Sequence, residues 1–192
     1  MAETNSRAIL LDLICQKAYK EGDFVLSSGQ RSSYYINCKP VTLDAQGALA
    51  TGRLLFALLP SPTDAVAGLT LGADPIVTAV SVVSAYENYP IPALIIRKEA
   101  KGHGTRAYIE GPELVPGAAV VVLEDVVTTG KSAMQAVDRL QAAGYTVNQV
   151  ISLVDRNQGG AELYHQAGLK FTSIFTIDEI QAAWRSKSTQ GK

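Results

Sequence analysis

The chain has 192 residues, 47% of them hydrophobic, with 17 Lys and Arg against 18 Asp and Glu, for a net charge of −1. That suits one globular domain with a sizeable core, and it offers no basic excess to attract nucleic acid. No run of 18 apolar residues suggests a membrane span, the first ten residues lack the order of a signal peptide, and Cys15 and Cys38 are too few for a disulfide framework or a metal site, so a cytoplasmic protein with reduced thiols is expected.

Residues 6 to 20 have the pattern of an amphipathic helix. Asn5 or Ser6 can cap it, and Ile9, Leu10, Leu13, Ile14 and Ala18 form one stripe. Phe24 to Asn37 reads as a hairpin, two short extended runs around a Ser/Gly turn. A regular strand would point Tyr34 and Tyr35 to opposite faces, one to stack on a planar ring and the other to pack inward. On its own such a pair is commonly packing. Asp44 to Leu59 is a second predicted helix, stopped by Pro60 and Pro62. Ala65 to Leu69 is a short buried strand, Thr70 to Pro75 a turn, and a helix follows to about Tyr86. In that turn Gly72 would let backbone amides approach an anion closely, although a plain strand-to-helix turn reads the same way.

Pro92 to Arg97 is the next predicted strand. It runs into a glycine-broken stretch with cations at Arg97, Lys98, Lys101, His103 and Arg106. Glycines oppose a rigid helix, so a mobile positive loop is expected, suited to a polyanion that must be covered and then released. An isolated run of this kind is ordinarily just solvated. After a turn at Pro112 to Gly117, Val120 to Leu123 reads as a strand buried on both faces. Glu124, Asp125, Val126 and Val127 follow, then the small-residue loop Thr128-Thr129-Gly130-Lys131-Ser132, then a helix with Ala133, Met134, Ala136, Val137 and Leu140 on its apolar side. Free backbone amides at a helix start make an anion site, and acids just ahead would meet hydroxyls or a metal on the same ligand. A sugar phosphate satisfies both. Gly130-Lys131-Ser132 spells the end of a nucleotide P-loop, but that motif needs a glycine where Asp125 stands, and one glycine does not make a dinucleotide fingerprint.

Gly144 closes that helix. Val147 to Val154 is another strand, ending on Asp155-Arg156-Asn157-Gln158-Gly159-Gly160, where an arginine beyond a strand's carboxyl end can meet an anionic ligand. A helix over Ala161 to Ala167 and a strand over Leu169 to Phe175 follow. Thr176 to Glu179 has capping-box spacing for a final helix to about Arg185, with a frayed polar tail beyond. The alternation predicts an α/β fold, a mostly parallel twisted sheet flanked by helices, with its ligand loops at the strands' carboxyl ends.

The strand, two acids, two apolar residues and T-T-G-x-S ending at Ser132 resemble the phosphoribosyl-pyrophosphate (PRPP) motif of type I phosphoribosyltransferases. F-x-L-x-S-G-x-x-S-x-Y-Y-x-N from Phe24 is similar to the N-terminal signature of the orotate phosphoribosyltransferases, and R-K-E-A-K-x-H-G from Arg97 to their catalytic loop. G-L-T-L-G-A-D-P-I from Gly68 resembles their pyrophosphate loop, and D-R-x-x-G-G from Asp155 occurs there too. Some members carry lysine where this chain has Ser27. The resemblance implies one phosphoribosyltransferase domain over 1–192, with a hood of about residues 1–40 plus a C-terminal contribution and a core of about 41–175. It implies transfer of the 5-phosphoribosyl group from PRPP to orotate, giving orotidine 5′-monophosphate and pyrophosphate for pyrimidine nucleotide synthesis. It also implies the roles. Glu124 and Asp125 would take the ribose hydroxyls, and Val126, Val127 and Thr128 to Ser132 the 5′-phosphate side of PRPP. Arg97, Lys98, Lys101 and His103 would take the pyrophosphate, with Lys101, His103 and Asp125 counted as catalytic. Arg156, Thr128, Tyr34 and Tyr35 would hold orotate. Lys131 would add charge at the phosphate or point to water. Mg²⁺ would be held through PRPP rather than by direct protein ligands, and loop 98–111 would be shared across a homodimer interface. Two rivals remain at this level: a phosphoribosyltransferase for another base, and a non-catalytic PRPP-sensing regulator.

Overall fold

The computed structural model describes residues 2–25, 31–101 and 107–190. Helix α1 (Ala2–Leu13) passes into a π-helical turn, Ile14–Ala18, and then into an antiparallel hairpin of β1 (Tyr19–Val25) and β2 (Arg31–Ile36). The first helix therefore stops short of residue 20. Tyr19 pairs with Ile36 in the ladder, and its ring lies 5.8 Å from those of Tyr34 and Trp184. Pairing and ring contacts outweigh the weak helical preference of the aromatic. The hairpin turn, Ser27 included, lies outside the described residues.

The chain continues through α2 (Lys39–Thr42) and α3 (Ala45–Ala57), which the Asp44 carboxylate caps by accepting from the N–H of Gln46 and Gly47. Next come β3 (Ala65–Leu69), α4 (Asp74–Tyr86), β4 (Ala93–Ile96), β5 (Ile109–Glu110), β6 (Val120–Val127), α5 (Lys131–Ala142), β7 (Gln149–Asp155), α6 (Gly160–Gln166), β8 (Lys170–Thr176) and α7 (Ile177–Gln190). The sheet order is β5-β4-β3-β6-β7-β8, parallel throughout except for β5. Continuous apolar runs such as Ala65–Leu69 are buried along their whole length because helices cover both faces. On one side the core includes Leu55, Ile76, Val77 and Val121; on the other, Val122, Ala136, Leu140 and Tyr164.

Strand order reverses between β3 and β6. That opens a crevice at their carboxyl ends, the usual ligand position in such sheets. Gly68 lets these elements close up, since a Cβ there would lie 2.2 Å from the Ala73 Cβ and 2.7 Å from the Leu123 carbonyl oxygen. Strand β6 also runs further than its apolar residues suggest. Its pairing with β7 continues through Glu124 opposite Ser152 to Val127 opposite Asp155, so both acids stand on a strand and not in a turn.

Helix α7 begins as expected, with the Glu179 N–H donating to the Thr176 hydroxyl at 3.3 Å. It runs on to Gln190, where a frayed tail was expected after Arg185. Ion pairs explain the extension: Arg185 meets Glu21, Lys187 meets Asp12, and Arg7 meets Glu179 nearer the helix start. The C-terminal helix is thus tied to α1 and the hairpin. Among the described residues no helix is long and apolar enough to cross a membrane.

Candidate active site

Glu124 and Asp125 are consecutive on β6, so their side chains leave opposite faces of the strand. Asp125 turns toward the segment after β3. A Cβ on Gly72 would lie 2.6 Å from its Oδ1, which also accepts the Val126 N–H at 2.9 Å. The group pressed against Gly72 is thus the Asp125 carboxylate. This segment holds a cis Thr70–Leu71 peptide, and the Thr70 hydroxyl donates to Asp74 at 2.8 Å.

Glu124 turns the other way. It is 6% exposed, and its Oε2 has no hydrogen-bond partner among the described residues. Burial, then the negative charge of Asp125, push its pKa well above the ordinary carboxylate range, with Lys98 opposing them. Glu124 lines a cavity of about 70 Å³ together with Thr128, Ser132 and Tyr164. Gly130 caps α5 in the left-handed region (φ 80°), and a Cβ there would lie 3.1 Å from the Tyr164 ring. Tyr164 is fully buried with an unpartnered hydroxyl, and burial, Glu124 and Asp155 all push its ionisation up. Lys131 is exposed at the first position of α5.

Arg156 stands one residue past β7 and is 8% exposed. Its N–H donates to the Val127 carbonyl at 2.9 Å. Its Nε donates to the Tyr34 hydroxyl at 3.0 Å and its Nη1 to the Thr128 hydroxyl at 3.4 Å, while Nη2 is buried without a partner. Gln158 also donates to Tyr34, at 3.4 Å. Three segments far apart in sequence therefore meet at Tyr34, Thr128 and Arg156. Tyr35 is not brought there. It leaves the other face of the hairpin, 43% exposed, with its ring 5.7 Å from that of Phe24.

The basic segment flanks the same crevice. Arg97 Nη1 donates to Glu110 Oε1 at 3.2 Å, and Lys101 Nζ lies 3.8 Å from the same oxygen. Thr70, Arg97, Lys98 and Glu110 line a groove of about 390 Å³. His103 and Arg106 lie outside the described residues. Beside the crevice, Leu43, Leu49, Leu71 and Val82 line an apolar groove of about 640 Å³. Tyr164, Gln158 and Glu110 were not singled out in the sequence. Only Tyr164 left a trace there, as the aromatic in the short helix after Gly159-Gly160.

The crevice thus offers a helix-start anion site, two carboxylates, a buried guanidinium with a free donor, and cations at its rim. No family model matches the chain. It is 76% identical over 179 residues to the orotate phosphoribosyltransferase of Nostoc sp. strain PCC 7120, covering 93% of this chain and 87% of that one. It is 70% identical over 181 residues to the orotate phosphoribosyltransferase of Synechocystis sp., covering 94% and 91%. Among solved structures it resembles Mycobacterium tuberculosis H37Rv orotate phosphoribosyltransferase in complex with PRPP, with a TM-score of 0.75, 35% identity, and 92% and 99% of the two chains covered.

Proposed function

The chain belongs to the orotate phosphoribosyltransferase family, and from that premise we propose how its residues divide the work. The reaction moves the 5-phosphoribosyl group of PRPP to orotate, giving orotidine 5′-monophosphate and pyrophosphate in pyrimidine biosynthesis. The convergence of Glu124, Asp125, the Thr128–Ser132 loop and Arg156 at one crevice carries the assignment of roles.

The 5′-phosphate sits on the amides and hydroxyls of Thr128 to Ser132, where the start of α5 favours negative charge. Val126 and Val127 lead into that loop and set its height. Glu124 and Asp125 hydrogen-bond the ribose hydroxyls, and the Asp125 carboxylate favours the positive charge that develops at C1 as the bond to pyrophosphate breaks. Arg156 turns its free Nη2 to the orotate carboxylate, with Tyr34 and Thr128 holding the fork in place. Orotate's ring nitrogen then forms the new bond to C1. Tyr35 takes no part in this arrangement.

Arg97, Lys98, Lys101 and His103 neutralise the departing pyrophosphate. Lys101 is 72% exposed and bound only loosely to Glu110, so it is free to turn to an anion. Two adjacent carboxylates beside a phosphate site fit a hard divalent ion carried in largely by substrate and water oxygens. Among the described residues no three His, Cys, Asp or Glu side chains are grouped to hold a metal on their own. When bound, Mg²⁺ supplies charge neutralisation on the pyrophosphate.

The apolar groove supports a homodimer. Leu43, Leu71 and Val82 are 71%, 65% and 53% exposed there, and a second copy would cover them. Leu71 borders the crevice, and we extend the reading to a loop 98–111 shared across that interface. Free thiols at Cys15 and Cys38 fit a cytoplasmic enzyme.

Loss of orotate absorbance on adding PRPP and Mg²⁺ tests the whole reading, with adenine, hypoxanthine and uracil as parallel substrates. Turnover of orotate alone is expected. Turnover of another base instead would overturn the role of Tyr34 and Arg156, and PRPP binding without any turnover would point to a regulator.

A further inference from the structure

The turn that carries Arg156 is held to a helix outside the sheet. Asp155 is the last residue of β7, where it pairs with Val127 of β6 and Thr176 of β8. Asn157, two residues on, stands in the left-handed region (φ 53°), which asparagine tolerates better than most residues. Its N–H donates to Asp155 Oδ1 at 2.9 Å, closing the turn around Arg156. Its side chain reaches the other way, where Nδ2 donates to Asp178 Oδ2 at 2.8 Å in the first turn of α7.

The same helix reaches Tyr34 from the other side. Trp184 lies about 9 Å further along α7 than Asp178, at 1.5 Å per residue. Its ring makes a T-shaped contact with Tyr19, centroids 5.8 Å apart, and Tyr19 stacks on Tyr34, also at 5.8 Å. The Tyr34 hydroxyl accepts from Arg156 Nε at 3.0 Å. The circuit is closed, from Arg156 through Asn157, Asp178, Trp184, Tyr19 and Tyr34 back to Arg156. Ile177 and Ile180 are buried in the core, so α7 cannot turn or slide without disturbing it. The aromatic arm is largely buried as well, whereas Asn157 and Asp178 are exposed. Their bond is the arm that a substitution can cut without opening a cavity.

We propose that Asn157 is a positioning residue for orotate, its bond to Asp178 tying the Arg156 turn to α7. One helix then sets both the guanidinium and the Tyr34 hydroxyl that steers it. The inference rests on the reading that Arg156 binds the orotate carboxylate. With the bond in place the fork is aimed before the base arrives, and binding does not have to order the turn. Without it the turn keeps its ladder contacts alone, and the fork meets the carboxylate from a wider range of positions. The 5′-phosphate site belongs to a different turn, at the start of α5, so PRPP should not sense the change.

Steady-state kinetics in the full chain, with PRPP, orotate and Mg²⁺, tests this. Asn157→Gly keeps the left-handed turn and removes only the side chain. It should lower kcat/KM for orotate about fivefold, while the KM for PRPP and the Tm stay near wild type. In an Arg156→Ala background the same change should have no further effect, because the group it aims is gone. Asn157→Asp should be as harmful, since two carboxylates then face each other. Adding Asp178→Asn should re-form the bond with its polarity reversed and restore most of the lost kcat/KM. A wild-type kcat/KM for orotate in Asn157→Gly overturns the proposal. So does an equal loss in the Arg156→Ala background, or a loss in Asn157→Asp that Asp178→Asn does not restore. Should the Asn157 variants fail to fold, Asp178→Ala decides, with the same loss and the same dependence on Arg156 expected and their absence overturning the proposal. The premise fails separately, by a normal kcat/KM for orotate in Arg156→Ala.

Discussion

The two sides of the crevice are built on opposite terms. On the strand side Glu124, Arg156 and Tyr34 are buried, and two of them keep an unpartnered polar atom. On the loop side Lys101 is 72% exposed and lies 3.8 Å from the Glu110 carboxylate. Burial makes the strand side strong and already ordered, at the cost of holding polar atoms away from water before substrate arrives. Exposure makes the loop side nearly free of such cost, and its charges count only once water is excluded around them. The comparison predicts that loop variants change turnover alone, whereas variants of the buried set change binding and stability as well.

The largest effect should come from the exposed side. Lys101→Ala is expected to lower kcat by about 100- to 1,000-fold, the typical worth of one donor aimed at transition-state charge, with Tm unchanged. A matching fall in Tm would erase the contrast between the two sides. Arg156→Ala comes next. Losing a hydrogen bond from a charged donor costs about 1.5–3 kcal/mol, so kcat/KM for orotate should drop roughly 10- to 150-fold while the KM for PRPP barely moves. An equal effect on both substrates would mean that Arg156 shapes the crevice rather than reading the base.

Glu124→Gln should split function from stability. The native Glu124 pKa is raised above its ordinary value near 4.5, so the folded chain keeps a proton that the unfolded chain releases. Its contribution to stability is therefore largest at low pH and is lost as pH rises from about that value through the raised one. Glutamine removes this slope. The variant should gain Tm over wild type above that window, gain least below it, and bind PRPP more weakly throughout, which thermal scans at several pH values and a PRPP titration would check. The smallest effect belongs to Tyr164→Phe. Its hydroxyl has no partner among the described residues, so Tm should move by only the equivalent of about 1 kcal/mol or less. A larger loss would show that the hydroxyl is bonded through water to the Glu124 oxygen across the cavity.

What could be read ahead of the structure was local. Apolar runs such as Ala65–Leu69 and the small residues Thr128 to Ser132 announce strand, turn and helix by their own chemistry, and the elements fall there. The failures share a cause, a partner distant in sequence. The apolar run ends at Leu123, yet pairing with β7 keeps Glu124 and Asp125 on the strand. Tyr34 and Tyr35 were indistinguishable until β2 met Arg156, which lies 122 residues from Tyr34. Tyr19 left the first helix because Ile36 and Trp184 receive it.

The two-residue strand β5 has one more consequence. By pairing Ile109 with Ile96 and Glu110 with Ile95, the returning end of the basic loop covers the free margin of β4. An uncovered margin of apolar parallel strand invites strand addition by another chain. Anyone shortening the loop to make a binding-only variant should cut between Glu99 and Ala107 and leave Tyr108 to Glu110 in place. Excising the whole segment should yield inclusion bodies rather than a quieter enzyme.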